Sequence, residues 1–276
     1  MNRKSAFLTT TMGVCLTAMV CCALWGSAFP CIKIGYQLFQ IDGNDISSQL
    51  LFAGCRFTLA GLLTILIGSL MNRRPLIPRK TSWIRIAKLS LFQTVIQYLF
   101  FYVGLAHTTG VKASIIEASN VFVAILIASL IFRQEKLDKH KIIGCIAGFA
   151  GVVLININQS GLDMSLSLTG EGFILLSTIA YAVSSVLIKI YSREDNPVML
   201  SGWQFLLGGI IMILCGYLTG GSVSVWTAPS ISMLFYLAAV SAVAYSLWGI
   251  LLKLNPVSKV AVFGFMNPVF GVVLSA

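Results

Sequence analysis

Glu117 is the one acidic residue set well inside a long apolar run, in Ser114-Ile115-Ile116-Glu117-Ala118-Ser119-Asn120. A carboxylate in hydrocarbon costs about 2.5 kcal/mol or more on insertion scales, so a chain that keeps one there uses it. Ser114, Glu117 and Asn120 fall at i, i+3 and i+6 and share one helix face. That face suits a substrate ammonium group or a proton, and an internal ion pair with Arg56 accounts for the carboxylate equally well. Arg56 lies deep in another apolar run. It could meet a substrate carboxylate, but a structural ion pair is the favoured reading. Trp25, Tyr98, Tyr181, Tyr245 and Trp248 carry rings with polar tips. Such rings suit a cavity for organic solutes, cations included, although aromatics also serve as ordinary packing. Gln93 and Gln97 are spaced i, i+4 and must face protein or water rather than lipid. The expected substrate site is therefore Glu117, Asn120, Trp25, Gln97, Tyr98, Tyr181, Tyr245, Trp248 and Asn267. No catalytic set, metal site or cofactor is expected: the two histidines sit at run ends and the seven cysteines form no CxxC pair.

The elements that carry these residues follow from solvent. Of 276 residues, 57% are hydrophobic and only 10% charged, and the mean hydropathy is +0.90. A soluble domain carries about 25% charge, so lipid must bathe most of this exterior. Nine apolar helices are expected, near 12–33, 46–71, 88–106, 111–132, 140–157, 170–191, 197–218, 230–252 and 257–276. Turn signals separate them, among them Asp42-Gly43-Asn44, Asn196-Pro197, Gly220-Gly221 and Asn255-Pro256. The fold class is all-α, a polytopic membrane bundle. With the N-terminus inside, sixteen of the 19 Lys and Arg fall in cytoplasmic stretches, as positive-inside placement requires. The net charge of +10 thus reads as topology rather than as nucleic-acid binding. The expected location is the plasma (inner) membrane with a cytoplasmic N-terminus. Trp83 and Trp226 suit interfacial anchoring, and Gly144, Gly148 and Gly151 make a small packing face. Asn158-Gln159-Ser160 matches a glycosylation acceptor.

The chain also repeats itself. An offset of 147 maps Tyr98 onto Tyr245, Phe101 onto Trp248, Lys112 onto Lys259 and Asn120 onto Asn267. An offset of 148 maps Phe57 onto Phe205 and Gly61 onto Gly209, and 156 maps Trp25 onto Tyr181. Spans 1 to 4 thus pair with 6 to 9. A five-helix unit is odd, so the second enters the membrane from the opposite face, an inverted repeat. The units are expected at 1–157 and 158–276, the second lacking a partner for span 5, so that a tenth helix is expected beyond Ala276.

Several segments resemble one transporter family. Leu24-Trp25-Gly26-Ser27-Ala28-Phe29, Arg56-Phe57, Gln204-Phe205, Phe132-Arg133-Gln134-Glu135-Lys136-Leu137, Tyr245 with Trp248, and Asn267-Pro268-Val269 are similar, in order, to motifs of the EamA-type drug/metabolite transporters. The resemblance implies a ten-helix permease of two inverted units around a central cavity. It also implies export of a small metabolite, such as an amino acid, by alternating access. Val121 departs from a proline common in the first repeat, which implies a weaker kink in span 4. The partners implied are a small-molecule substrate and the bilayer, with no nucleic acid and no predicted oligomer. A non-transporting scaffold is the alternative, and an intramembrane enzyme is less well supplied with chemistry. No phosphate-binding loop is present for ATP-driven pumping.

Overall fold

The computed structural model describes residues 6–157 and 167–275; Arg3, Lys4 and the Asn158-Gln159-Ser160 acceptor lie outside them. Nine helical columns succeed one another among the described residues. They are α1 (Thr11–Phe39), α2 (Ile46–Asn72), α3 (Ser82–Leu105), α4 in three pieces (Gly110–Ala118, Asn120–Leu126, Ile127–Ile131) and α5 (Lys139–Ile157). They continue with α6 (Leu168–Tyr191), α7 (Pro197–Leu218), α8 (Ala228–Leu254) and α9 in three pieces (Val257–Ala261, Val262–Phe265, Met266–Ser275). Six of these, α1 to α3 and α6 to α8, are individually long and apolar enough to cross a bilayer. The chain is a polytopic all-α membrane bundle.

Local chemistry sets the helix ends. Thr10, Asp45, Thr109 and Asn196 each accept a backbone N–H of the first turn that follows, at 3.1, 3.0, 3.3 and 2.8 Å. Thr227 and Ser230 form a reciprocal capping box at α8. α1 and α2 each end on a residue in the left-handed region, Gln40 and Arg73. α1 runs six residues beyond the expected end at Lys33, which stays helical and exposed. α3 starts at Ser82, six residues early, because Arg85 and Lys88 form part of its first turns.

Glycine determines the central crossing. A Cβ on Gly61 would stand 2.5 Å from the Leu206 backbone nitrogen, and one on Gly209 2.4 Å from that of Thr58. Gly54 and Gly202 are equally tight, at 2.6 Å from Ile213 N and 2.8 Å from Ile65 Cγ1. Only residues without a Cβ let α2 and α7 approach so closely. Phe57 and Phe205 stack in the middle of the crossing, with centroids 5.2 Å apart and planes 12° from parallel.

Around this pair stand two groups of three helices. α1 packs on α8 and α9, while α6 packs on α3 and α4. α2 touches α8, and α7 touches α3. Lysines tie the helix starts: Lys112 of α4 lies 3.4 Å from Glu171 of α6, and Lys259 of α9 donates to the Thr9 carbonyl ahead of α1 at 2.9 Å. At the face richest in basic residues, Asp195 clamps the α6–α7 turn to the start of α3. It accepts from Arg85 at 2.7 Å, from the Ser82 hydroxyl at 2.8 Å and from Arg79 at 3.1 Å. Burial by itself pushes the Asp195 carboxyl up, but these donors hold it below the ordinary carboxylate range.

Candidate functional site

Between the two groups of helices the polar-tipped rings collect. Trp25 of α1 meets Tyr245 and Trp248 of α8 edge-on, with centroids 5.0 and 5.1 Å apart. Tyr98 of α3 reaches across to Tyr245, hydroxyl to hydroxyl at 3.1 Å. Tyr181 of α6 belongs to the same apolar cluster. The five aromatics expected in the site are therefore neighbours, drawn from four helices.

Arg56 is almost fully buried at the edge of this chamber, its guanidinium 4.4 Å from the Phe57 ring centroid and 5.7 Å from that of Tyr98. Its electrostatic neighbours are the phenols of Tyr98, Tyr102, Tyr245 and Tyr36, and its Nε has no hydrogen-bond partner. The ion pair expected between Arg56 and Glu117 is not formed: among the described residues no carboxylate lies within ion-pair distance of Arg56. The phenols take the carboxylate's place, and the guanidinium rests on ring faces. Glu117 is partly buried on α4 and has no hydrogen-bond or ion-pair partner among the described residues. Its electrostatic influence falls on Tyr98, the same ring that neighbours Arg56. Arg56 and Glu117 thus both act electrostatically on one phenol without forming an ion pair. The side chain of Ser114 lies outside the described set.

Asn120 and Asn267 each follow an interruption in their helix. In α4 the α-helical run stops at Ser119, whose hydroxyl donates back to the Ile116 carbonyl at 2.6 Å. That local bond competes with the helix ladder and explains a break without proline. The weaker discontinuity expected at Val121 is replaced by a definite one at Ser119. In α9 a 3₁₀ turn, Val262–Phe265, precedes Asn267 and Pro268. The two interruptions abut: a Cβ on Gly264 would stand 3.1 Å from the Val121 side chain and 3.6 Å from Asn120 Oδ1. Asn267 Oδ1 is buried and unpartnered. Gln93 and Gln97 are buried on α3, each with an unpartnered Oε1, and Trp25 Nε1 is unpartnered as well. Buried polar atoms normally find a protein or water partner. Contact between Gln97 and the aromatic cluster is not among the observed interactions.

Sequence reasoning missed Tyr36, Tyr102 and the charge asymmetry. Tyr102 follows Tyr98 by one helical turn, and Tyr36 follows Trp25 by eleven residues, about three turns. Both spacings were signals. The repeat offsets also place Gly264 opposite Glu117 and Gln204 opposite Arg56, so both central charges belong to the first half. Gln204 is fully buried and accepts from Thr94 at 2.8 Å, beside a π-helical stretch of α3, Leu91–Ile96.

Comparison with known proteins agrees with this architecture. The model of the EamA-like transporter family matches residues 12–157 and 168–276. An uncharacterized transporter of Archaeoglobus fulgidus is 30% identical over 90% of this chain and 82% of its own length. The uncharacterized transporter YvbV of Bacillus subtilis is 26% identical over 92% of this chain and 79% of its own. A WAT1-related chloroplastic protein of Arabidopsis thaliana is 25% identical over 98% of this chain, which spans 65% of that protein's length. A solved crystal structure, 18% identical, shares the fold with a TM-score of 0.76 over 96% of this chain and 88% of its own. The family model covers both halves of the chain, and the chain belongs to the EamA-like transporter family.

Proposed function

We propose that the chain exports a small zwitterionic metabolite, of the amino-acid class, by alternating access between two inverted units, 1–157 and 158–276. The observation that carries this reading is the aromatic cluster of Trp25, Tyr98, Tyr181, Tyr245 and Trp248, with Arg56 buried against Tyr98 and Glu117 within electrostatic reach of the same ring. A carboxylate guest finds the free Nε of Arg56, and its ammonium group faces Glu117 and the ring faces. Asn120, Asn267 and Gln97 offer neutral hydrogen bonds to the rest. Neither charge has an ion-pair partner among the described residues, so each is available to the guest.

The inverted arrangement is supported by the packing. Exchanging α1 with α6, α2 with α7, α3 with α8 and α4 with α9 turns the contacts α1–α8, α1–α9, α2–α8 and α7–α8 into α6–α3, α6–α4, α7–α3 and α2–α3, all of them observed. Equivalent residues meet across the centre, as Phe57 with Phe205 and Tyr98 with Tyr245, which is what a two-fold axis in the membrane plane produces. The lysine ties of Lys112 and Lys259 are exchanged as well. Two states related by this exchange are close in energy, which alternating access needs. The basic residues crowd one surface, which supports a cytoplasmic N-terminus in the plasma membrane.

The test is amino-acid flux in proteoliposomes, with and without a pH gradient. The expected result is flux in wild type and a loss of at least about 30-fold in Glu117→Gln, the scale for removing one partner of a buried charge contact. Wild-type flux in Glu117→Gln discards the ammonium role, and no flux of any amino acid in wild type discards the substrate class.

A further inference from the structure

A second cavity, of about 760 Å³, opens at the surface rich in basic residues, between the inner ends of α4, α5, α6, α8 and α9. Five cations line it: Lys141, Lys189, Arg193, Lys253 and Lys259. Two carboxylates, Glu135 and Asp138, line it too, but both are engaged. Glu135 takes Lys141 at 3.1 Å and the Ser258 hydroxyl at 2.5 Å, and Asp138 accepts the Lys141 backbone N–H at 2.9 Å.

The other four cations have no carboxylate partner. Lys189 donates only to the backbone carbonyls of Leu252, at 3.2 Å, and Asn255. Arg193 donates to the Gln134 side-chain oxygen, and Lys259 to the Thr9 carbonyl. Lys253 is exposed and has no hydrogen-bond or ion-pair partner among the described residues. Four cations without an ion-pair partner thus line one cavity against two carboxylates, Glu135, already paired with Lys141, and Asp138, so positive charge is in excess there. Neutral carbonyls satisfy hydrogen bonds but leave the charge uncompensated, and a half-buried cation such as Lys189 gains most from a nearby anion.

Ile125, Cys145 and Val262 give the cleft an apolar side. A cationic rim with an apolar side, at the membrane-surface end of helices, matches the head and upper chain of one kind of molecule. We propose that this cleft holds the phosphate headgroup of an anionic phospholipid. Basic pockets between membrane helices favour such lipids in this way. A freely diffusing phosphate would use the rim and leave the apolar side unexplained. The site is separate from the aromatic chamber and needs no particular substrate there.

The experiment compares retention of phosphatidylglycerol and phosphatidylcholine on the purified protein by native mass spectrometry, and repeats it with inorganic phosphate as competitor. The expected result is preferential retention of phosphatidylglycerol, weakened about fivefold by Lys253→Gln and again by Arg193→Gln. Both variants sit at the mouth and leave the Lys189 and Glu135 contacts intact, and gel-filtration profiles check folding. Lys80→Gln, an exposed charge on the same surface outside the cleft, should change nothing. Equal retention of the two lipids, or equal losses in Lys80→Gln and Lys253→Gln, would overturn the site. Full displacement of phosphatidylglycerol by inorganic phosphate would overturn the lipid as its occupant.

Discussion

Gly209→Ala adds one methyl group at the α2–α7 crossing. Its Cβ would stand 2.4 Å from Thr58 N and 2.5 Å from Thr58 Oγ1. Ordinary contact needs about 3.4 Å or more, and backbone cannot yield as a side-chain tip does, so the helices must part by about 1 Å. Overpacking of this kind costs about 1–3 kcal/mol. The intrinsic helix gain of alanine over glycine, about 1 kcal/mol, offsets part of it. The net cost is then up to about 2 kcal/mol, which at about 2–4 °C per kcal/mol for a large domain is a fall of up to about 8 °C in apparent Tm. Gly151→Ala is the internal control, because nothing lies within 4 Å of its Cβ position. The same helix gain applies there with no clash, so its Tm should stay level or rise. Thermal unfolding in detergent, followed by gel filtration, measures both. Equal Tm values for Gly209→Ala and Gly151→Ala would refute the glycine crossing as the fixed centre of the bundle.

Two further outcomes concern the ends of the helices. Asp195→Asn leaves Arg85 and Arg79 without their buried acceptor, and should lower stability by about 2 kcal/mol, read as a Tm loss without a change in helix content. Burial pushes the Glu135 carboxyl up, yet Ser258 and Lys141 hold it below the ordinary carboxylate value. Its folded form therefore binds fewer protons than the unfolded chain as pH falls toward that value. The stability it contributes is present above the ordinary carboxylate pKa and is lost as pH drops through the depressed one. Wild type should lose more Tm than Glu135→Gln between pH 6 and pH 4, taken as an order-of-magnitude window; parallel curves would remove Glu135 as the tie between α4 and α9.

Most of the architecture was legible because lipid leaves a coarse signature. Apolar runs and the alternation of basic residues located nine helices, and turn residues such as Asn196-Pro197 marked their ends. The errors have physical causes. Lys33 was read as a helix end, but a lysine on an outer helix surface can keep its charge in water while the backbone continues. Arg85 and Lys88 hid the first turns of α3 for the same reason. The break at Ser119 depends on a hydroxyl turning back to Ile116, and serine makes that bond only in some settings. At the candidate site, the aromatic residues singled out by type and repeat position are neighbours in the fold. The ion pair expected of Arg56 does not form because its guanidinium lies over the rings of Phe57 and Tyr98 among several phenols.

The central claim is alternating access, and the packing of the bundle predicts that it proceeds by the group α1, α8 and α9 rocking against the group α3, α4 and α6. Pulsed-EPR distances test it most directly, in a background with the seven native cysteines replaced. One spin-label pair goes at Lys136 and Lys253, across the basic-rich mouth, and another at Gln40 and His107, across the opposite one. Adding a transported amino acid should lengthen one distance and shorten the other within the same sample. Distances that both hold still, or that both lengthen together, would contradict alternating access by these two groups.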